Sequence, residues 1–470
     1  MAHDVVVLGG GPGGYAVAFR AAARGLDVAM IEQDKVGGTC LHRGCIPSKA
    51  ILHVAEVLEE VHRADVLGLE VAFEGIDGDN LSAFRQGVID SLHKGLHFLA
   101  KKRTTLHDGR GKITSATTVE VTAADGTTTT VEGRNLVIAT GSVPRSFWDV
   151  DGEVVQTSDE ALWFTQAPAR AVIIGAGAIG MEFASMWQPM GSEVTVVEAL
   201  DRVLPLEDVD VSAAVAKAYK RRGIRTLTSA KVTAIDVADG VGIVSVDTAD
   251  GSKQLSAEVV LVAVGRGPNT SDIGADELGV LDERGFVQTD EVGRTNVDSV
   301  WAVGDVRPTL ALAHAAFAEG FVVADAIAGG DVTPVDHVHT PRVTYCHPEA
   351  ASVGLTQAEA EERYGADAVT ATTYSLKANA KGIISGQDGF VKVVSLTSGP
   401  GVAPGATGEV LGVHIVGPHA TDMIAEATLA TQWGALPEEV AAITHAHPTL
   451  YEALGEAFQA AAGLPFHGSH

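Results

Sequence analysis

Cysteine is almost absent from this chain, with Cys40, Cys45 and Cys346 the only three in 470 residues. A zinc site therefore has no second close pair to complete it, and Cys346 beside His347 is a poor substitute. Positive charge is also short: 33 Lys and Arg stand against 60 Asp and Glu, a formal net charge of −27. That balance opposes nucleic-acid binding, which needs a basic footprint. It suits a soluble protein, and one with a basic docking partner. No apolar stretch approaches the ~18 residues of a membrane helix. The N-terminus runs from Asp4 through a short apolar stretch straight into glycines, unlike a signal segment. The expectation is a cytoplasmic protein with neither nucleic acid nor membrane as partner. Its length suggests roughly three domains at about 100–200 residues each, and 46% hydrophobic content is ample for their cores.

What cysteine there is lies close together. Gly37 to Lys49 reads Gly-Gly-Thr-Cys-Leu-His-Arg-Gly-Cys-Ile-Pro-Ser-Lys, with four residues between Cys40 and Cys45. Spacing alone leaves a structural disulfide, half of a metal site, or two unrelated thiols open. A cytosolic type of chain seldom keeps structural disulfides, so the pair leans towards catalysis. Thiolate attack on a disulfide sulfur is then the natural chemistry.

Glycine is plentiful, at 53 residues, and its placement matters more than its number. Val5 to Leu8 reads as a buried strand, followed by Gly9, Gly11 and Gly14 in a Gly-x-Gly-x-x-Gly pattern, a helix over 15–24, and a strand over 26–31 ending at Glu32. By chance alone, a chain this rich in glycine gives about one such match, so context decides. Glycines permit the tight turn and close backbone approach, the helix start meets a pyrophosphate, and the acid accepts from ribose hydroxyls. Ala171 to Ile174 then opens a second copy with Gly175, Gly177 and Gly180, closing at Glu198. In both copies the acid stands 18 residues beyond the last glycine. Two dinucleotide sites in one chain imply electron transfer between two cofactors. Glu198 would bond a free ribose 2′-hydroxyl and repel a 2′-phosphate, which favours NAD over NADP.

Further elements follow from periodicity. Helices are expected over 54–67, 81–102, 311–328, 420–433 and 437–443, and strands over 391–395 and 408–416. A β-rich insertion is expected over 104–132, turned at Asp125-Gly126. Ser398 to Gly408 reads as a surface turn. Near the C-terminus, His447 precedes Pro448 and stands five residues before Glu452. An imidazole suits proton transfer near neutrality, and a carboxylate can orient it, although a surface or packing histidine is the plainer reading.

The cysteine segment resembles the redox-active stretch of the FAD-dependent pyridine nucleotide–disulfide oxidoreductases, most of all their dihydrolipoamide-oxidising members. The likeness spans Asp4 to Phe458. It implies an α/β chain of two Rossmann-like dinucleotide-binding domains, for FAD and NAD, plus a C-terminal α+β dimerisation domain. The implied boundaries are 1–147 for FAD and the redox disulfide, 148–271 for NAD, 272–342 for a central segment completing the FAD site, and 343–470 for the interface. Cys40 is implied to be the interchange thiol and Cys45 the sulfur nearer the flavin. His447 is implied to be the base, oriented by Glu452 and reaching into a partner's active site, with His445 secondary. Lys49 and Glu182 are implied to pair beside the flavin. Gly141 and Gly265 resemble the points where the chain leaves each nucleotide domain, and Asp305, after Gly304, the aspartate that bonds the ribitol chain. The implied reaction oxidises dihydrolipoamide with NAD⁺ in a homodimer serving a 2-oxo acid dehydrogenase complex. Its partners would be a lipoyl domain and the subunit-binding domain of the E2 component. Reduction of another low-molecular-weight disulfide, as by mycothione reductase, is the nearest rival.

Some residues depart from the family pattern. His42-Arg43 replace a common Asn-Val and would put positive charge between the cysteines. Cys346 is expected to be a spectator and His314 a packing or backbone-bonding residue. The tail holding His467 and His470 has no assigned role.

Overall fold

The computed structural model describes residues 2–398, 402 and 407–467. The apolar run Val5–Leu8 forms the buried end of strand β1 (His3–Leu8), between the parallel strands β2 (Val28–Glu32) and β6 (Thr128–Ile138). Val5 to Leu8 stand opposite Val28 to Ile31 on one side and Asn135 to Ile138 on the other. An uninterrupted apolar strand of this kind fits only a sheet covered on both faces. Strand β3 (Thr105–Asp108) extends the parallel sheet beyond β2, and Val300–Ala302 extends it beyond β6.

Helix α1 (Pro12–Ala23) returns along one face and is covered by the helix Ala313–Ile327. Small residues let the two approach closely. A Cβ on Gly320 would lie 2.8 Å from the Ala16 Cβ and 2.9 Å from the Gly13 carbonyl oxygen.

The stretch expected to be a β-rich insertion divides. Strands β4 (Arg110–Ser115), β5 (Thr118–Thr122) and the first half of β6 form an antiparallel meander, with Gly126 at φ +84° in the turn. β3 instead belongs to the parallel sheet.

A second sheet repeats the first. Arg225–Leu227, Glu193–Val197, Arg170–Ile174 and Val259–Val262 run parallel in that spatial order, with Val155–Gln156 on the far edge. An antiparallel meander over Lys231–Ala257 precedes the last of these strands. The four leading parallel strands of each sheet thus share one order, and the repeat of glycine spacing is also a repeat of topology; only the edge strand enters from a different point in the chain. Ser142–Pro144 and Arg266–Pro268 pair antiparallel and tie the two halves together.

The last region is a five-stranded sheet in the order Arg342–Thr344, Glu349–Gly354, Val410–Gly417, Phe390–Leu396, Val369–Ser375. The helices Ala420–Gln432 and Glu452–Ala461 close its core around Val391, Val413, Met423 and Phe458. Among the described residues, no helix is long and apolar enough to cross a membrane.

One expected helix is displaced. In place of 54–67, a helix α3 spans Cys45–His62, after a short α2 (Gly38–Arg43). Pro47 falls in its first turn, where a missing N–H leaves no intrahelical bond unmade. The second expected helix is α4 (Gly78–Arg103), capped by the Asp77 carboxylate on the Asp79 and Asn80 N–H groups. Most of the expected turn over 398–408 lies outside the described residues, as does His470.

Candidate active site

Each glycine loop is built by the same steric demand. Gly9 and Gly175 turn at φ +108° and +105°, where an L side chain is strained. A Cβ on Gly14 would lie 1.9 Å from the Gly9 carbonyl oxygen, and one on Gly180 2.0 Å from that of Gly175. Those four glycines bring strand and helix together. Gly11 and Gly177 are the helix N-caps; neither helix has a side-chain cap or an acid in its first turn. The free N–H groups and the positive helix end are therefore left to an anion.

The two acids behave alike. Glu32 accepts from the Gly10 N–H (2.7 Å) and the Asp34 N–H (2.9 Å), and Glu198 from the Ala176 N–H (2.7 Å) and the Leu200 N–H (2.9 Å). Each carboxylate holds its own loop and keeps further lone pairs for ribose hydroxyls. Burial raises the Glu32 pKa, against the backbone bonds that lower it.

The cysteine segment is fastened to the first loop. The Gly37 N–H donates to the Gly10 carbonyl (2.8 Å), and a Cβ on Gly38 would lie 2.7 Å from the Gly11 Cα. Cys40 lies in α2; the chain breaks at Gly44, and Cys45 opens α3. Both are free thiols, and each acts on the other's proton. Cys45 is drawn down to about 7, first by the Cys40 thiol and, against burial, by the Lys49 ammonium one turn along the helix. The N-terminal position on α3 favours its thiolate as well. Cys40 is pushed up by the Cys45 side chain and by burial.

Lys49 reaches the second half of the molecule. Its Nζ donates to both oxygens of Glu182 (3.0 and 2.9 Å), on the helix Ala178–Trp187, and lies 4.6 Å from the centre of the Tyr345 ring. Burial opposes the ammonium, but the Glu182 carboxylate outweighs it and the Lys49 pKa stands raised. Glu182 also accepts from the Tyr345 N–H (3.1 Å), so the segment just after the strand Arg342–Thr344 is held at the same spot. Tyr15 lies near the dithiol as well; its hydroxyl is pushed up to about 12, by burial first and then by both cysteines.

The charge expected between the cysteines is not there as expected. His42 is buried and bonded to the Val36 carbonyl (3.0 Å), and desolvation lowers its pKa, so it is neutral at pH 7. Arg43 pairs with Asp34 (3.2 Å). A buried imidazole has no water to stabilise its charged form, which the sequence does not reveal.

Asp305 follows Val300–Ala302. It accepts from the Ser142 hydroxyl (2.6 Å), which in turn accepts from Arg266 Nε (2.8 Å). Asn269 bonds the Gly141 carbonyl through its N–H (2.9 Å) and the Thr140 carbonyl through its amide (3.1 Å). Gly141 and Gly265, at φ +74° and +105°, turn the chain at these points. Ser142, Arg266, Asn269 and Tyr345 were not read as site residues, although each adjoins a motif that was. The donor set fits a flavin dinucleotide: helix N–H groups for the pyrophosphate, Glu32 for ribose hydroxyls and Asp305 for a polyol chain.

His447 Nδ1 is 2.7 Å from Glu452 Oε1, and the other oxygen accepts from the Thr449 N–H (2.8 Å). The His447 side chain is 77% exposed, so its Nε2 face is open to a substrate or a second subunit. Among the described residues, neither member bonds to the redox segment of its own chain. His445 is turned inward on Glu426 (2.8 Å), and His467 bonds Glu456 (2.7 Å). His314 bonds the Pro341 carbonyl (2.7 Å), and Cys346 is fully buried, its thiol pushed up by desolvation.

Residues 3–320 match the family model described as pyridine nucleotide-disulphide oxidoreductase, and residues 340–458 match its dimerisation domain. Curated proteins named dihydrolipoyl dehydrogenase are similar over almost the whole chain. Those of Bacillus subtilis and Corynebacterium glutamicum are each 40% identical, covering 99% and 98% of both chains respectively. That of Mycobacterium bovis is 42% identical, over 98% of each chain. A solved structure titled LpdA, from Mycobacterium tuberculosis, matches with a TM-score of 0.88 at 27% identity, over 97% of this chain and 99% of that one.

Proposed function

The chain belongs to the pyridine nucleotide-disulphide oxidoreductase family, and we propose that it oxidises dihydrolipoamide to lipoamide with NAD⁺ as a homodimer. The observation that carries the reading is a close cysteine pair fastened to the first glycine loop, with Cys45 opening α3 one turn from the Lys49–Glu182 pair.

The step begins with Cys40 and Cys45 joined as a disulfide. The partner's His447 takes a proton from one substrate thiol, with Glu452 holding the ring and stabilising its charge. The substrate thiolate attacks the Cys40 sulfur, the Cys40–Cys45 bond breaks, and Cys45 leaves as thiolate beside Lys49. The second substrate thiol, deprotonated in turn, attacks the first substrate sulfur. The lipoyl ring closes, and Cys40 departs and takes a proton. Substrate has lost two electrons, and the dithiol has gained them. Bound FAD supplies two-electron transfer between this dithiol and NAD⁺.

Glu182 keeps Lys49 charged and fixed, and that ammonium favours the Cys45 thiolate against the opposing charge of Glu182 itself. Glu198 supports NAD⁺ over NADP⁺, because a carboxylate at the ribose repels a 2′-phosphate. The acidic chain suits docking of a basic subunit-binding domain of the E2 component, and a cytoplasmic setting belongs to the same reading.

The test is reduction of NAD⁺ and of NADP⁺ by dihydrolipoamide with the purified yellow protein. Turnover with NAD⁺ is expected, abolished in Cys40→Ser and lowered about 10²–10⁴-fold in His447→Ala, the usual contribution of a general base. A yellow protein that ignores dihydrolipoamide and oxidises NADPH with another disulfide would overturn the substrate assignment.

A further inference from the structure

Glu319 lies in the helix Ala313–Ile327, and its side chain is 2% exposed. A carboxylate buried this deeply needs partners, and it has four. Oε2 accepts from the Gly304 N–H at 2.7 Å and stands 3.2 Å from Arg307 Nη1. Oε1 accepts from the Thr309 hydroxyl at 2.8 Å and lies 3.4 Å from His337 Nε2. Arg307, itself 5% exposed, donates from Nε to Thr289 Oγ1 (2.9 Å). Three of the four partners lie within a few residues of Asp305. Gly304 directly precedes it and turns at φ +74°, a conformation open to glycine, and its N–H is the group the carboxylate holds.

The next residue does a second job. Gly320 is where this helix meets α1, against Ala16 and the Gly13 carbonyl. One helical step therefore touches both ends of the first nucleotide site: the helix that follows the glycine loop and the turn that presents Asp305.

We infer that Glu319 is a positioning residue for the FAD site, holding the Gly304–Asp305 turn at a fixed distance from α1 so that Asp305 meets the bound cofactor. The inference rests on the proposed role of Asp305. Glu319 does not touch the cofactor; it acts through the turn. A role in folding alone would lower the stability of the flavin-free chain, whereas a positioning role lowers flavin affinity beyond any such loss.

The test compares Glu319→Gln, Glu319→Asp and Asp305→Ala in the full-length holoprotein. Flavin is released with a chaotrope and rebound in titration, followed by flavin fluorescence, and the flavin-free chains are unfolded in urea. Glu319→Gln keeps the shape but presents an amide, and Glu319→Asp keeps the charge but falls short of the Gly304 N–H. The FAD dissociation constant is expected to rise about ten- to a hundredfold in each, the range of one buried hydrogen bond to a charged group. The flavin-free chain should lose some stability as Arg307 loses its buried partner, but by less than the loss in flavin affinity, and the bound flavin's visible band should shift. If Glu319→Gln does not fold, Thr309→Val removes one donor at the same carboxylate and is expected to raise the constant about threefold. An unchanged dissociation constant in the folded variants, or a rise matched by an equal loss of flavin-free stability, would overturn the inference. A wild-type chain that binds no FAD, or an Asp305→Ala variant that binds it normally, would instead sink the reading on which it rests.

Discussion

The two nucleotide halves share strand order, glycine spacing and a carboxylate bonded to its own loop, yet they are closed to different degrees. Over the first, the Gly37–Gly38 turn lies against Gly11, and Gly320 of the helix Ala313–Ile327 packs directly on Gly13 and Ala16 at the start of α1. In the second, a Cβ on Gly177 would meet nothing within 4 Å. One residue marks the difference. Gly13 has no room for a side chain, because a Cβ would stand 2.9 Å from Val303 Cγ2, while the matching position in the second copy is Ile179. The lesson is that one local motif serves two kinds of ligand. A site gripped by several segments retains its cofactor between turnovers, and an open one lets its nucleotide exchange.

The largest test of that contrast exchanges the critical glycines. Gly14→Val is expected to yield protein without flavin, because the new side chain meets backbone. Gly180→Val should stay yellow but bind NAD⁺ at least about a hundredfold more weakly, on overpacking of roughly 3 kcal/mol. Flavin absorbance and nucleotide titration separate the two; equal loss of flavin in both would erase the distinction.

Gly13→Ile gives the first loop the residue of the second. It is expected to displace Val303 and the covering helix at a cost of about 1–3 kcal/mol, and to lower the temperature at which flavin is released. The reverse change, Ile179→Gly, should leave that temperature within a degree or two. A Gly13→Ile protein that holds its flavin as tightly as wild type would show that the extra layer does not grip the cofactor.

A smaller effect is expected at the link between the halves. In reduced protein, alkylation of Cys45 should increase with pH through a midpoint of about 7, while Cys40 stays protonated. The sign follows from the ammonium: Lys49 favours the thiolate, so Lys49→Met should move the midpoint upward and slow alkylation at pH 7 several-fold. An unmoved midpoint would mean that the Cys40 thiol alone sets Cys45.

Much of the fold was legible because its signals are local. The Gly9 to Glu32 pattern and its copy announce two strand–turn–helix–strand units, and the apolar runs announce parallel strands. The redox helix was misread: its start at Cys45 is masked by Gly44 and Pro47, which look like breakers and act here as a break and a first-turn proline. Of the candidate site, the closeness of Cys40 to Cys45 and of His447 to Glu452 was legible, because each pair spans only a few residues. His42 was misjudged because its charge depends on burial, a property of the packed protein.

The sequence by itself therefore determined the units: the two glycine loops with their acids, the close cysteine pair and the His–Glu pair, all set by spacings within one turn or one β–α–β step. Tertiary structure decided which units meet. Lys49 finds Glu182 across 133 residues of chain, Ser142 finds Asp305 across 163, and Glu319 finds the turn before Asp305 from a separate helix. Contacts of that kind exist only once the sheets and their covering helices have packed, because no local spacing encodes a distance through space.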